Sequence, residues 1–67
     1  MFKVDSDKIR SLIFANGLSL NQFAQKAGLN TLTACKLVRD GATATAKTIG
    51  TLAKFFNVDG NELILAR

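Results

Sequence analysis

The chain contains no histidine, no proline and no tryptophan, and its only cysteine is Cys35. A single thiol cannot form an internal disulfide, and without histidine it cannot complete a zinc site made of protein ligands alone. Packing alone must therefore stabilise the fold, which suits a reducing cytoplasm. We expect a cytoplasmic protein that carries no metal and no other cofactor.

Long apolar runs and catalytic groupings are also missing. No stretch approaches the ~20 apolar residues that span a bilayer, and the N-terminus lacks the pattern of a secretion signal. The sequence has no Cys/His or Ser/Lys pairing and no glycine-rich phosphate loop, and a chain of 67 residues has a core too small for a substrate pocket. We therefore expect no enzyme, no membrane partner and no small-molecule ligand.

The charge that is present is concentrated in the middle of the chain. The formal net charge is +4, and residues 26–54 hold five cations against a single carboxylate, Asp40. These cations are Lys26, Lys36, Arg39, Lys47 and Lys54. A localised basic surface suggests a polyanionic partner, although a solvated surface without a partner would have the same charge.

Apolar spacing predicts an all-α chain of five short helices that form one domain over residues 1–67. The predicted helices cover residues 6–16, 20–27, 31–39 and 46–56, and a fifth begins after Asp59. Ser19 with Gln22, and Asp59 with Glu62, have the spacing of capping boxes, and Asn30 suits the start of helix three. No segment resembles a convincing strand, and 42–45 is expected to be a loop.

Two further expectations concern packing. Gly50 interrupts helix four, and a close approach by a neighbouring helix would explain it. The aromatic residues do not alternate with basic ones, so we expect core or rim positions for them, with one ring of the Phe55–Phe56 pair exposed. The five aromatic residues are Phe2, Phe14, Phe23, Phe55 and Phe56.

The pattern of residues 17–39 predicts a helix-turn-helix. Two short helices are separated by a tight turn at Gly28, and the small Ala24 lies where the helices should cross. The second helix of such a pair protrudes far enough to enter a DNA major groove only when the two helices cross steeply at close range.

Residues 17–30, which read GLSLNQFAQKAGLN, resemble the helix-turn-helix signature of the Cro/phage-repressor (XRE-like) family. Residues 49–58, which read IGTLAKFFNV, resemble the fourth helix of that family, so that the likeness covers nearly the whole chain. The resemblance implies a compact five-helix, lambda-repressor-like domain that binds its operator as a dimer and regulates transcription through its third helix.

The same resemblance, together with the outward stripe of helix three, assigns the candidate DNA contacts. The base-reading candidates are Thr31, Leu32, Cys35 and Lys36. The phosphate-binding candidates are Ser19, Asn21, Gln22, Arg39, Thr43, Thr45 and Lys47. Two simpler interpretations stay open: Leu32 could pack over the helix pair, and Cys35 could be a half-buried hydrophobe.

The sequence departs from the family pattern at three places. Leu20 stands where the family usually has glutamine, Ile13 stands where a basic residue is common, and residues 43–45 lack the usual proline. Asn21 or Gln22 could take over the contacts of the missing glutamine.

The expected function is sequence-specific binding of double-stranded DNA by a repressor of the phage or mobile-element type. The alternative is a helix-turn-helix module that binds a protein and has no specific DNA target. We also expect a weak homodimer that is strengthened on DNA. Its contact surface is expected to contain Phe55 or Phe56, Val58, Leu63 and Leu65.

Overall fold

The computed structural model of the chain describes residues 1–66, and for Ala66 only the backbone. These residues form four α-helices, three short strands and one 3₁₀-helix. In chain order the elements are β1 (Phe2–Val4), α1 (Ser6–Ala15), α2 (Leu20–Ala27), α3 (Thr31–Leu37), β2 (Thr43–Ala44), α4 (Ala46–Phe56), the 3₁₀-helix (Gly60–Leu63) and β3 (Ile64–Ala66).

The helices begin where polar side chains can bind free backbone N–H groups. The Ser19 hydroxyl accepts from the Gln22 N–H, and the Gln22 carboxamide oxygen accepts from the Ser19 N–H at 2.9 Å, which completes the predicted capping box of α2. Asn30 accepts from the Thr33 N–H at 2.8 Å and begins α3. The predicted bounds of α2 and α4 are confirmed, whereas α3 ends at Leu37, two residues earlier than expected.

The all-α prediction is wrong, because the described residues form an α+β fold with a three-stranded antiparallel sheet. β1 lies in the centre of the order β2-β1-β3. Phe2 is paired with Ala44 in β2, and Val4 is paired with Ile64 in β3. The strand β1 thus joins two segments that are about 20 residues apart in the chain, and the segment expected to be a loop before α4 contains β2.

The predicted fifth helix is replaced by one 3₁₀ turn and a strand. The Asp59–Glu62 capping box is present, but the turn it begins ends at Leu63. The Leu63 carbonyl accepts a hydrogen bond from the Asp5 N–H at 2.8 Å, and Ile64 is paired with Val4. The backbone after Leu63 therefore obtains its hydrogen bonds from β1 and not from a further helical turn.

The helices and the sheet enclose one apolar core. Its buried members are Val4, Ile9, Ile13, Phe23, Ala24, Ala34, Leu37, Ala44, Ile49, Leu52, Phe56 and Leu63. The rings of Phe23, Phe55 and Phe56 lie with centroids 5.0–5.8 Å apart, and neither ring of the Phe55–Phe56 pair is fully exposed.

Phe14 departs from the expected core or rim position, since 87% of its surface is exposed. Ile9 and Ile13 are four residues apart on α1 and both face the core. A residue one position further along a helix is rotated by about 100°, so Phe14 follows Ile13 out into solvent.

The prediction that a neighbouring helix approaches Gly50 closely is also wrong. A methyl group added at Gly50 would meet nothing within 4 Å, so this helical glycine has open space around it. The tight position is Gly60, where a Cβ atom would lie 3.3 Å from Cγ2 of the buried Ile49.

We predict that Gly50→Ala raises the free energy of unfolding by about 0.5–1 kcal/mol, because alanine loses less backbone entropy in a helix than glycine. Thermal and urea unfolding should both show the gain. Gly60→Ala is the matched control and should give no stabilisation, because its methyl group crowds Ile49. Equal stabilisation by both substitutions would contradict this packing.

Candidate nucleic-acid interface

A sharp turn at Gly28 joins α2 and α3. Gly28 has a positive φ of 74°, and the Leu29 N–H donates to the Ala24 carbonyl at 2.8 Å. α2 and α3 are in direct contact with each other. Ala24 and Ala34, one small residue on each helix, are both buried, so that the two helix backbones can approach closely.

This packing turns the opposite face of α3 towards solvent. Ala34 and Leu37 are buried, whereas Thr31 and Lys36 are exposed and Leu32 has 71% of its surface exposed. Leu32 therefore does not pack over the helix pair. Short side chains occupy the start of this face and longer ones its end, an order that suits base edges followed by phosphates.

Cys35 is less accessible than the other base-reading candidates. It is a free thiol, and it is half-buried on α3. Its position agrees with the interpretation as a small, partly buried hydrophobe.

The phosphate-binding candidates at the start of α2 are partly engaged in capping. The hydroxyl of Ser19 and the carboxamide oxygen of Gln22 both accept backbone hydrogen bonds. The amide nitrogen of Gln22 is a donor by chemistry, so the cap leaves it able to bind an anion. Asn21 is exposed beside them.

The remaining phosphate-binding candidates form a second group around β2 and the start of α4. Thr45 caps α4, accepting from the Thr48 N–H and donating to the Thr48 hydroxyl at 3.2 Å. Thr43 is exposed on β2, and Lys47 is exposed in the first turn of α4. Lys3, which sequence reasoning missed, is paired in register with Thr43 and adds a cation here.

The cations of the central segment are free of ion pairs within residues 1–66. Among residues 1–66, the ion pairs are those that Arg10 forms with Asp7 and with Asp40, and the pair with Asp40 has a distance of 3.6 Å. Arg10 also donates to the Val38 carbonyl at 2.6 Å, so its guanidinium is occupied. Arg39, exposed just beyond α3, has no such partner among the described residues and can approach a phosphate.

An apolar groove lies between the end of α1, the start of α2 and the end of α3. It has a volume of about 280 Å³, and its lining residues are Arg10, Ile13, Phe14, Leu18, Leu20 and Val38. Ile13 on α1 and Leu20 on α2 therefore line one groove. The lining of this groove is mainly apolar, with Arg10 at its edge.

Most of the residues expected to form the dimer contact belong to the core instead. Phe56 and Leu63 are buried, and Phe55 and Val58 pack partly against the core. Leu65 on β3 is the remaining residue of that set, and 62% of its surface is exposed. Residues 55–65 therefore offer little apolar surface for a dimer.

The described helices are all too short or too polar to cross a bilayer. No family model, curated protein or solved structure matches this chain.

We predict that Leu32→Ala changes the free energy of unfolding by less than about 0.5 kcal/mol, because Leu32 is largely in solvent. Leu37→Ala is the matched control on the same helix. It should cost about 2–5 kcal/mol, because it removes a buried side chain from the core. Urea unfolding of both variants checks the difference. A large loss for Leu32→Ala would place this residue in the core and remove it from the interface.

Proposed function

We propose that this domain binds double-stranded DNA with α3 in the major groove and regulates transcription as a repressor. The observation that supports the proposal most strongly is the exposed outer face of α3 on a tightly packed helix pair. A helix presented in this way can enter a groove about 12 Å wide without any rearrangement of the core.

The proposal gives the exposed residues different tasks. Thr31 and Leu32, in the first turn of α3, meet base edges, and a leucine there can contact thymine methyl groups. Lys36 reaches either a guanine edge or a phosphate. Arg39 and Lys47 bind phosphates, together with donors at the start of α2.

The remaining expectations belong to the same proposal. The protein acts in the cytoplasm, it needs no cofactor and it performs no catalytic step. Two copies bind half-sites about one helical turn apart, and they form a weak dimer that DNA strengthens.

The apolar groove supports a second candidate function, the binding of a protein without a specific DNA target. Exposed apolar patches commonly mark protein–protein contact sites, and Phe14 adds a large exposed ring to this one.

The two functions differ in their response to salt. Phosphate binding weakens steeply as counterions are added, whereas apolar contacts do not.

We predict that the protein shifts a random duplex at low salt and that the logarithm of the affinity falls with the logarithm of salt concentration with a slope of about −3 to −5. Lys47→Ala should reduce the steepness of this slope by about 0.9, the share of one phosphate contact. Fluorescence anisotropy of a labelled duplex over a range of salt concentrations measures both quantities.

Lys54→Ala is the matched control, because it removes an equal charge from the other end of α4, where no DNA contact is proposed. It should leave the slope nearly unchanged. No binding at low salt would favour the protein-binding function, and equal effects of the two lysine substitutions would remove Lys47 from the interface.

A further inference from the structure

The segment of residues 38–42, which leads from α3 to β2, is anchored by side chains of α1. The Val38 carbonyl accepts a hydrogen bond from the Arg10 guanidinium at 2.6 Å. The Asp40 carboxylate accepts one from the Ser6 hydroxyl at 3.4 Å, and the same carboxylate oxygen lies 3.6 Å from Arg10. Ser6 is itself buried, so one end of this network is fixed by the packing around it. α1 therefore holds the end of α3 from outside the helix-turn-helix.

Arg10 satisfies a carbonyl at the end of α3. Val38 is the C-cap residue of this helix. The carbonyls of a final helical turn have no partner within the helix and carry partial negative charge, so that a cationic donor stabilises them. Asp7, three residues earlier on α1, forms an ion pair with the same guanidinium and holds it in place. Arg10 thus bridges α1 and the C-terminal end of α3 with a charge-assisted hydrogen bond.

Arg39 lies between the two residues that α1 anchors. Its N–H donates to the Lys36 carbonyl at 3.3 Å, and its carbonyl accepts from the Ala42 N–H at 3.2 Å. Its side chain is exposed and forms no ion pair within residues 1–66. The backbone that carries this guanidinium is therefore fixed before any ligand binds, and less conformational entropy is lost when the side chain meets a phosphate.

The neighbouring carboxylate gives Arg10 an electrostatic task as well. Asp40 is the only carboxylate of residues 26–54, and it follows Arg39 directly in the chain. An unpaired carboxylate at this position would repel a phosphate and would attract the Arg39 guanidinium away from it. The contact with Arg10 directs Asp40 towards α1 and offsets its charge. Because 91% of the Asp40 side chain is exposed, water screens this effect and its share is modest.

We propose that Arg10 is a positioning residue for the phosphate contact of Arg39. Arg10 does not touch DNA, because its guanidinium is occupied by the Val38 carbonyl and two carboxylates. It acts through the backbone at the end of α3 and through the charge of Asp40. The inference rests on the proposed function, to which the phosphate contact of Arg39 belongs, and it makes a residue of α1 a determinant of DNA affinity.

A double-mutant cycle between Arg10 and Arg39 tests the proposal. Fluorescence anisotropy of a labelled random duplex at low salt measures binding of the wild-type protein, Arg10→Met, Arg39→Ala and the double variant. We expect Arg10→Met to weaken binding about three- to tenfold when Arg39 is present, as is typical of coupled residues. In the Arg39→Ala background it should weaken binding less than about twofold, because no contact is then left to position.

Lys8→Met is the matched control, because it removes an equal charge from α1 and leaves the contacts of Arg10 in place. It should weaken binding by less than about twofold, and equally in both backgrounds, since it changes only the screened long-range attraction. A loss of folded protein caused by Arg10→Met would likewise be equal in both backgrounds. The difference between the backgrounds therefore reports positioning and not stability.

Equal losses for Arg10→Met in the two backgrounds, with wild-type binding intact, would overturn this inference alone. A wild-type protein that binds no duplex at low salt would overturn the proposed function and this inference with it. If Arg10→Met fails to fold, the same cycle with Arg10→Lys decides the matter. Lysine keeps the charge but not the planar fork of donors, so the loss should be smaller and should again require Arg39.

Discussion

The turn at Gly28 determines the direction in which α3 leaves α2. Its backbone is left-handed, a conformation that costs most other residues about 1–2 kcal/mol. Once the chain has turned there, Ala24 and Ala34 can be buried between the two helices, and Leu37 reaches the core. The outer face of α3 is exposed as a consequence. Both the proposed DNA contact and the end of α3 that helps to form the apolar groove depend on this one turn.

The helices could be predicted from the sequence because their signals are local. Each cap involves residues within a window of four, as in the pair of Ser19 and Gln22 and the cap that Asn30 gives to α3. The strands could not be predicted in this way, since each has only two or three residues and is too short to show alternation. Their stability comes from pairing between distant segments, such as Val4 with Ile64. A capping box followed by apolar residues therefore predicts a helix at the C-terminus, where the chain instead forms one 3₁₀ turn and a strand.

The candidate site was predictable to the extent that it depends on helical periodicity. The burial of Ala34 and Leu37 follows from their spacing, and it leaves Leu32 exposed on the other face. Two features do not follow from periodicity. The groove arises from side chains of α1 and α2, together with Leu18 between these helices and Val38 just beyond α3. Phe14 is expected in the core or at its rim because the aromatic residues do not alternate with basic ones, yet it is exposed. Lys3 joins the second group of candidates only because β1 is paired with β2. Contacts of this kind depend on tertiary structure, which periodicity does not describe.

The proposed function requires α3 to read base sequence with its first turn and the residues beyond its end to bind phosphate. The most direct test selects duplexes from a random pool and then compares Thr31→Ala with Arg39→Ala on the selected duplex and on a random one. We expect Thr31→Ala to cost about 1–3 kcal/mol of binding free energy on the selected duplex and much less on the random one. Arg39→Ala should weaken both by similar amounts. A pool that yields no enriched sequence, or a Thr31→Ala variant that keeps its full preference, would contradict the account.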